Sequence, residues 1–502
     1  MKRLDWISAL LILWALALHG AFYLSAGALW RDEANSAAQA ALPSWTALWR
    51  SLDHDSFPAA HAALVRMWCA HGGETDSGLR VLGAATGLAL LGSVAGAALW
   101  LGLAPALALA VAAVNPLVVS EGDSIRPYGL ALIALVWAFA AYGRLASGGR
   151  TGVVAAAAVA SIAAVQCAYT NALYVGLFAL AAMASAKSRR WVLLIPAGAA
   201  ALSLAPYAGV LARTRGWTGI VRYRVEWSPF VTQMAREHGV TLIVFAGAWS
   251  AAAWTFLRLI RQGRAAQSLP LYVSGAAALA LPLQALFLVA AGAPPFPRYF
   301  LPCLVVAALA ASMVGRQYRF GAAAALAVAL AGASPAWSWV RLRRTDMDQV
   351  AAVLNRRAQP RDLVILSPWF LHPSFQRYYR GAAPWITIPE LPPDPMTRYA
   401  LVKEAMRAPD SAGRLQRELD GVLARGGVLW YVSQRLPEPQ PASLPPERPP
   451  GQDYARFRRY WEADIERRLL VCCRSDVEIA EGAVPTWREE NLMLTRFTRS
   501  GK

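Results

Sequence analysis

Long apolar stretches separated by short polar segments dominate the first two thirds of the chain. About 20 apolar residues in a helix cross a bilayer core of about 30 Å. The first such stretch covers residues 6–29, and further ones lie near residues 77–101, 103–120, 127–146, 151–168, 171–186, 191–211, 239–257, 269–291, 298–315 and 320–339. The pattern therefore predicts an α-helical polytopic membrane protein with about 11 transmembrane helices.

The first apolar stretch has two interpretations. A cleavable signal peptide is one, because Ala26-Gly27-Ala28 resembles a processing site. However, the stretch is longer than the ~7–15 residues of a signal core, and many spans follow it. We therefore predict an uncleaved first transmembrane helix that starts on the cytoplasmic side.

The pattern changes after about residue 340, where shorter apolar runs alternate with polar helical segments. Strands are predicted at residues 363–366 and 428–432, with helical stretches near 346–357 and 401–425 and a proline-rich loop from Pro437 to Pro450. Such alternation is typical of an α/β domain. We therefore predict a transmembrane domain at residues 1–340 and a soluble C-terminal α/β domain at 341–502.

Composition and charge agree with membrane residence. Of the 502 residues, 56% are hydrophobic and 16% are charged, against roughly 25% charged in soluble domains. The net charge of +18 comes from Lys and Arg in the C-terminal part and in short loops, at residues 144–150, 187–190, 258–264 and 316–319. Alternation of spans puts all four loops in the cytoplasm, as the positive-inside rule requires. No basic groove with interleaved aromatic residues is evident, so we predict contact with membrane lipids and no nucleic-acid partner.

Residues 30–76, 120–126, 212–238, 292–297 and everything after about 340 then lie on the opposite side. In this first outer loop, Asp32 and Glu33 follow the first span directly. Adjacent carboxylates at the membrane rim suit chemistry on a lipid-borne substrate, although a solvated helix end gives the same pattern. The segment Phe57 to Ala70 is too short and mixed to span, and predicts an interfacial helix.

Other outer loops carry further candidate residues. Asp55 precedes the interfacial helix and is a candidate for substrate binding or for capping that helix. Asp123, Arg126 and Tyr128 lie between two spans. Asp123 and Arg126 have the spacing of an ion pair, and Arg126 also suits an anchor to lipid head groups. Tyr128 suits the aromatic belt at the membrane interface. A basic, aromatic loop adds Arg222 and Arg224, and Arg298 precedes a late span.

These segments resemble the GT-C superfamily of membrane glycosyltransferases, in the branch of protein mannosyltransferases and the lipid A aminoarabinose transferase. The resemblance rests on Arg31-Asp32-Glu33-Ala34, Asp55-Ser56-Phe57-Pro58, Arg126-Pro127-Tyr128-Gly129-Leu130 and Arg298-Tyr299-Phe300-Leu301-Pro302. It covers half to two thirds of the chain. Relatives commonly carry His-Pro-Pro where Phe57-Pro58-Ala59 stands here.

The resemblance implies a polyprenyl-phosphate-sugar-dependent hexosyl- or pentosyltransferase, acting on a lipid, glycan or protein acceptor at the outer face. It implies that Asp32 is the general base and that Glu33 orients the acceptor or a water. Arg126 and Arg298 would hold the leaving phosphate, with Tyr128, Asp55, Asp123, Arg222 and Arg224 as further substrate contacts. Arginines can do this without a metal, so we predict no metal and no cofactor. Asp32 and Arg126 are expected to converge in one cavity.

Two other classes of function make different demands on the sequence. A transporter or flippase of lipid-linked saccharide would carry charged residues near the membrane midplane, or broken helices in paired halves. A noncatalytic scaffold would tolerate replacement of Asp32. The gathering of polar residues at one face favours the enzyme, and the Ala- and Arg-rich composition indicates a bacterial inner-membrane protein with a periplasmic C-terminal domain.

Overall fold

The protein is described by a computed structural model that covers residues 6–186, 190–214, 220, 225–262, 268–315, 321–392, 394–408, 411–435, 437, 454–480, 485–487 and 490–500. The chain forms two compact units, which are described separately. Of the described residues, the first unit contains those within 1–25, 55–212 and 223–341, and the second contains the remainder.

The first unit is helical. Its α-helices are α1 (Trp6–Ser25), α4 (Ala59–Trp68), α5 (Asp76–Trp100), α6 (Ala106–Ala108), α7 (Pro116–Gly122), α8 (Tyr128–Ala146), α9 (Thr151–Cys167), α10 (Asn171–Ser185), α11 (Ile195–Ser203), α12 (Ala208–Arg213), α13 (Trp227–Arg261), α14 (Ser268–Ala291), α15 (Leu301–Gly315) and α16 (Gly321–Val340). Helices α2 (Arg31–Ala40) and α3 (Trp45–Ser51) belong to the second unit.

Eight helical segments among the described residues are long and apolar enough to cross a bilayer. They are Trp6–Ser25, Asp76–Trp100, Tyr128–Ala146, Arg190–Arg213, Trp227–Arg261, Ser268–Ala291, Pro297–Gly315 and Gly321–Val340, and α9 and α10 are shorter apolar helices. The protein is therefore an integral membrane protein of the predicted polytopic helical class. The count of about 11 spans stays a prediction.

The apolar segment at residues 103–120 does not form one continuous helix. It consists of α6, a π-helical turn (Leu109–Ala113) and α7. The break follows from Asn115, whose Oδ1 accepts the N–H of Leu117 at 3.0 Å, and from Pro116, which lacks an N–H and starts α7. Every residue from 108 to 127 is buried, so this segment is part of the core of the first unit.

The second unit contains a five-stranded mixed sheet with helices on both faces. The strands are β1 (Leu363–Leu366), β2 (Trp385–Thr387), β3 (Leu429–Ser433), β4 (Cys473–Ile479) and β5 (Met493–Arg499), and the helices are α17 (Met347–Arg357), α18 (His372–Tyr378), α19 (Tyr399–Arg407), α20 (Ser411–Ala424) and α21 (Tyr454–Cys472). The order is β2-β1-β3-β5-β4, in which β1 pairs parallel with β2 and β3, and β5 pairs antiparallel with β3 and β4. The predicted C-terminal α/β fold is confirmed.

Alternation along the central strands divides the core of this unit into two layers. Leu363 and Ile365 face the layer formed by α19, α20 and α21, whereas Val364 and Leu366 face α17 and α18. All four side chains are fully buried, which explains why β1 reads as a continuous apolar run. The proline-rich loop predicted from Pro437 to Pro450 lies outside the described residues except for Pro437.

Candidate functional site

Asp32 lies in the first turn of α2. Its carboxylate is 29% exposed, and Arg31 Nε lies 3.7 Å from Asp32 Oδ1. The N–H groups and dipole of a helix N-terminus favour negative charge at this position. Asp32 therefore combines the accessibility that a proton acceptor needs with an adjacent cation.

Glu33, in contrast, is fully buried and contacts its own helix. Its Oε2 accepts the backbone N–H of Trp30 at 3.3 Å, which is the contact that a glutamate makes in a capping box. This contact fixes the start of α2 directly beside Asp32. A role of Glu33 toward the acceptor stays a prediction.

The α/β part of the second unit holds α2 in place. The backbone N–H of Leu29 donates to Tyr378 Oη at 2.6 Å, and Asn35 Oδ1 accepts the N–H of Thr397 at 2.9 Å. Gly27, with φ of +66°, forms a parallel bridge with Thr345. The positive φ favours glycine at this position, and an ideal Cβ there would lie 2.6 Å from Arg343 Cζ, so a larger residue would also displace the Arg343 side chain.

Glu490 joins this site from the C-terminal segment, and sequence reasoning missed it. The side chain is fully buried, and its Oε1 accepts the backbone N–H of Arg31 at 2.9 Å and lies 3.9 Å from Arg31 Nε. Burial raises the pKa of Glu490 to about 7, although Arg31 opposes the shift. No local pattern identifies Glu490, because its partner lies 459 positions away.

Arg126, in the first unit, is buried with 7% exposure and is fixed on two sides. Its Nη2 lies 3.5 Å from Asp55 Oδ1, and its guanidinium lies 4.9 Å from the centre of the Phe57 ring. Phe57 in turn meets Tyr128 edge-on at 5.4 Å. Asp55 does not cap α4, whose N-cap is Pro58 without a side-chain hydrogen bond. The predicted substrate residues Asp55, Arg126 and Tyr128 therefore form one cluster.

Arg298 lies near the same cluster. Its guanidinium lies 4.4 Å from the ring centre of Phe296 and 5.8 Å from that of Tyr299. Both Arg298 and Arg126 are close enough to Tyr128 to act electrostatically on its hydroxyl. Two guanidiniums supported by aromatic rings around one tyrosine can bind the oxygens of a phosphate.

Asp123 contacts the core of the first unit. Its Oδ1 lies 2.7 Å from His19 Nδ1, and both side chains are buried. Burial raises the pKa of Asp123 to about 6, against the opposing effects of His19 and Arg80. This hydrogen bond favours a structural function for Asp123, and substrate contact by Asp123 stays a prediction.

The remaining predicted site residues, Arg222 and Arg224, lie outside the described residues. Asp32 and Glu33 belong to the second unit, whereas Asp55, Asp123, Arg126, Tyr128 and Arg298 belong to the first. The expected convergence of Asp32 and Arg126 stays a prediction. Across the described ranges, no group of three or more His, Cys, Asp or Glu side chains has the arrangement of a metal site.

Comparisons with known proteins identify neighbours by structure. No family model and no curated protein matches the sequence. The crystal structure of ArnT from Cupriavidus metallidurans bound to undecaprenyl phosphate aligns with a TM-score of 0.51 and 11% identity, over 97% of this chain and 98% of that chain. Two cryo-EM structures of the arabinofuranosyltransferase AftD from Mycobacteria align with TM-scores of 0.46 and 0.42 and 15% identity. This chain spans only 42% and 41% of those AftD chains.

ArnT is the lipid A aminoarabinose transferase, a membrane glycosyltransferase of the GT-C superfamily. The match to ArnT extends over nearly the whole of both chains and therefore includes the membrane helices and the C-terminal α/β part. The predicted resemblance to this superfamily is confirmed at the level of the fold.

Proposed function

We propose that the protein is a glycosyltransferase that moves a sugar from a polyprenyl-phosphate donor to a lipid, glycan or protein acceptor. The observation that carries the proposal is the similarity of fold to ArnT, whose structure contains undecaprenyl phosphate. We place the reaction at the outer face of a bacterial inner membrane, with the C-terminal domain in the periplasm. The positive charge of the loops assigned to the cytoplasm supports this orientation.

In the proposed reaction, Asp32 removes the proton from the acceptor hydroxyl while that oxygen attacks the anomeric carbon of the donor sugar. The bond between this carbon and the phosphate oxygen breaks, and its electron pair leaves with the polyprenyl phosphate. The partial exposure of the Asp32 carboxylate supports the role of base, since an acceptor must reach it.

Arg126 and Arg298 stabilise the departing phosphate as its charge grows. Guanidiniums suit this task because they bind two oxygens at once and stay charged at any physiological pH. The buried setting of Arg126 strengthens its electrostatic effect, and the ring of Phe57 and the carboxylate of Asp55 hold it ready before the donor binds.

The test measures release of undecaprenyl phosphate from a panel of undecaprenyl-phosphate monosaccharides. Purified protein in liposomes is supplied with bacterial envelope lipids and glycans as acceptors. The wild type is expected to consume at least one donor, and Asp32→Asn is expected to transfer about 10²- to 10⁴-fold more slowly, the usual effect of losing a general base.

Asp476→Asn is the matched control. Asp476, on β4 of the same unit, is 42% exposed, and Arg474 Nε lies 3.8 Å from its Oδ1, close to the 3.7 Å between Arg31 and Asp32. Transfer by the control should stay within about 2-fold of wild type, as for surface changes outside a site. Undiminished transfer by Asp32→Asn would refute the assigned base, and movement of donor between leaflets without release of undecaprenyl phosphate would favour a flippase.

A further inference from the structure

Glu490 and Asp32 share one cation. Arg31 Nε lies 3.7 Å from Asp32 Oδ1 and 3.9 Å from Glu490 Oε1, so its charge acts on both carboxylates. Besides Arg31, the fully buried Glu490 carboxylate has the Thr345 side chain as a hydrogen-bond partner. Burial of a carboxylate is costly even when it has partners, so the place of Glu490 beside Arg31 and Asp32 calls for an explanation beyond packing.

We propose that Glu490 is a positioning residue for the catalytic base: its side chain fixes the first residue of α2 through the Arg31 backbone N–H and, when charged, its carboxylate raises the proton affinity of Asp32. This inference rests on the proposed function, because it takes Asp32 as the base. Two effects have the same direction. The negative charge of Glu490 repels that of Asp32, and Glu490 also draws on the positive charge that would otherwise act on Asp32 alone.

The consequence for catalysis follows from the strength of the base. A carboxylate that pairs fully with a guanidinium is a weak base, whereas one with a higher proton affinity takes a proton from a hydroxyl more readily. The backbone contact from Arg31 N–H to Glu490 Oε1 adds a geometric effect, since it ties the first residue of α2 to the C-terminal segment. Glu490 thus sets both the position and the charge of the turn that carries Asp32.

Among the described residues, three further charged groups near Glu490 make contacts of their own. Glu490 faces Arg31 and Asp32 from α2, and Thr345 from the segment before α17. Nearby, Arg343 pairs with Asp348 at 2.8 Å, Arg344 lies over the rings of Trp487 and Trp30, and Asp346 accepts the N–H of Leu492 at 2.9 Å. Burial also raises the pKa of Asp346 to about 7. Asp346 is present in both the wild type and a Glu490 variant, so comparison of the two proteins removes the effect of Asp346 on the labelling of Asp32.

The experiment measures the protonation of Asp32 without requiring transfer activity. A water-soluble carbodiimide with an amine labels carboxyl groups in proportion to their protonated fraction, and mass spectrometry resolves Asp32 from the buried Glu33. Wild type and Glu490→Gln are labelled in detergent from pH 5 to pH 8.5. Glutamine keeps the volume of the side chain and an oxygen that accepts the Arg31 N–H.

The expected difference depends on pH. Below pH 7 the Glu490 carboxyl is mostly protonated and neutral, so wild type and Glu490→Gln should label Asp32 at similar rates. Above pH 7 Glu490 is charged and Asp32 holds its proton more tightly in the wild type. Labelling of Asp32 at pH 8.5 should then be about 3- to 10-fold faster in the wild type, equivalent to about 0.5 to 1 pKa unit of coupling.

A ratio of wild-type to variant labelling that is the same at every pH would overturn the proposal, because it would mean that Glu490 affects only exposure. Glu490→Asp keeps the charge and should restore the dependence on pH. If both variants misfold, the wild type alone is decisive. Around pH 7 the logarithm of the Asp32 labelling rate must fall by less than one unit per pH unit, because Glu490 gains its charge in this range. A straight line of slope −1 would refute the coupling.

Glu466→Gln is the matched control. Glu466 is likewise buried in the second unit, where it accepts the Tyr431 hydroxyl and pairs with Arg435, both at 2.8 Å. Labelling of Asp32 in this variant should follow the wild type. The outcome of the labelling experiment is separate from that of the transfer assay. If Glu490 and Asp32 are coupled but Asp32→Asn transfers sugar at the wild-type rate, the coupling stands and only the catalytic role of Asp32 is refuted.

Discussion

Arg126 interacts with three neighbouring side chains. It pairs with Asp55, lies 4.9 Å from the centre of the Phe57 ring and acts electrostatically on Tyr128. A guanidinium presents its N–H donors in a planar fork that matches the oxygens of a phosphate, whereas lysine is a compact point charge. Position in the sequence alone left a lipid anchor as an equal alternative, and the burial of Arg126 argues against that alternative.

We therefore expect Arg126→Lys to weaken donor binding despite keeping the charge. Loss of a two-pronged contact and weakening of the cation–π contact, together worth about 1–3 kcal/mol, should lower kcat/KM for the polyprenyl-phosphate donor roughly 5- to 150-fold. Arg144→Lys, an exposed arginine in the last turn of α8, is the control and should leave kcat/KM unchanged. An unchanged kcat/KM in Arg126→Lys would argue against phosphate binding by this residue.

The second prediction for a single residue concerns how Asp123 changes the stability of the fold with pH. Because its folded pKa is raised to about 6 from 3.8, the folded state binds the proton more tightly than the unfolded state. Its contribution is most favourable below about pH 4 and is lost as the pH rises through about 6, a change of up to about 3 kcal/mol. Asp123→Asn cannot titrate, so wild type should lose stability relative to this variant between pH 4 and pH 6.

Thermal unfolding of both proteins in detergent, at intervals from pH 4 to pH 7.5, checks this prediction. The difference between the two transition temperatures reports on Asp123 together with its partner His19, since all other titrating groups keep their partners. A difference that stays constant over this range would show that Asp123 does not bind a proton more tightly in the fold.

Two glycines in helix α5 allow a neighbouring segment to pack closely against it. Gly83 and Gly87 lie one turn apart and face the segment that carries Asp123. An ideal Cβ at Gly83 would lie 2.0 Å from the Asp123 carbonyl oxygen, and one at Gly87 would lie 1.6 Å from Asp123 Oδ1 and 2.8 Å from His19 Cε1. The segment that leads to Arg126 can therefore approach α5 only because these residues lack side chains.

Gly87→Ala should accordingly destabilise the first unit. The added methyl group overlaps buried atoms, and overpacking of this kind costs about 1–3 kcal/mol or more. Gly92→Ala on the same helix meets no atom within 4 Å, so it should be neutral or slightly stabilising. Transition temperatures of the two variants, measured side by side, test this pair, and equal values would contradict the close packing against Asp123.

The pattern of apolar residues predicts a helix or strand well where an unbroken apolar run coincides with that element. The span predicted at 127–146 is α8 from Tyr128 to Ala146, and the strand predicted at 363–366 has the observed bounds. The segment at 103–120 has an equally apolar composition, yet Asn115 and Pro116 break it. Strands β4 and β5 were not predicted, because β4 alternates with many exposed polar residues and its pairing with β5 depends on tertiary contacts.

At the scale of the whole molecule, residues distant in sequence meet in ways that local patterns do not encode. Asp32, Asp123 and Arg126 were identified from their own segments, but Glu490 and His19, which contact two of these segments, were not. Glu490 approaches Arg31 across 459 positions, and His19 approaches Asp123 across 104. The sequence thus predicted the proposed chemical groups, while the folded chain was needed to identify the residues that set their charge and position.

The orientation of the whole chain in the membrane gives the last prediction. Arginines on both sides of the turn after α8, Arg144 and Arg150, indicate a cytoplasmic loop, whereas the C-terminal α/β unit is expected on the opposite side. In a cysteine-free background, Ser147→Cys in that turn and Ser475→Cys on β4 both place a thiol at an exposed position. A membrane-impermeant maleimide applied to intact spheroplasts should label Ser475→Cys, and should label Ser147→Cys only after the membrane is permeabilised. Labelling of both thiols from the same side would contradict the alternation of spans on which the outer placement of Asp32 depends.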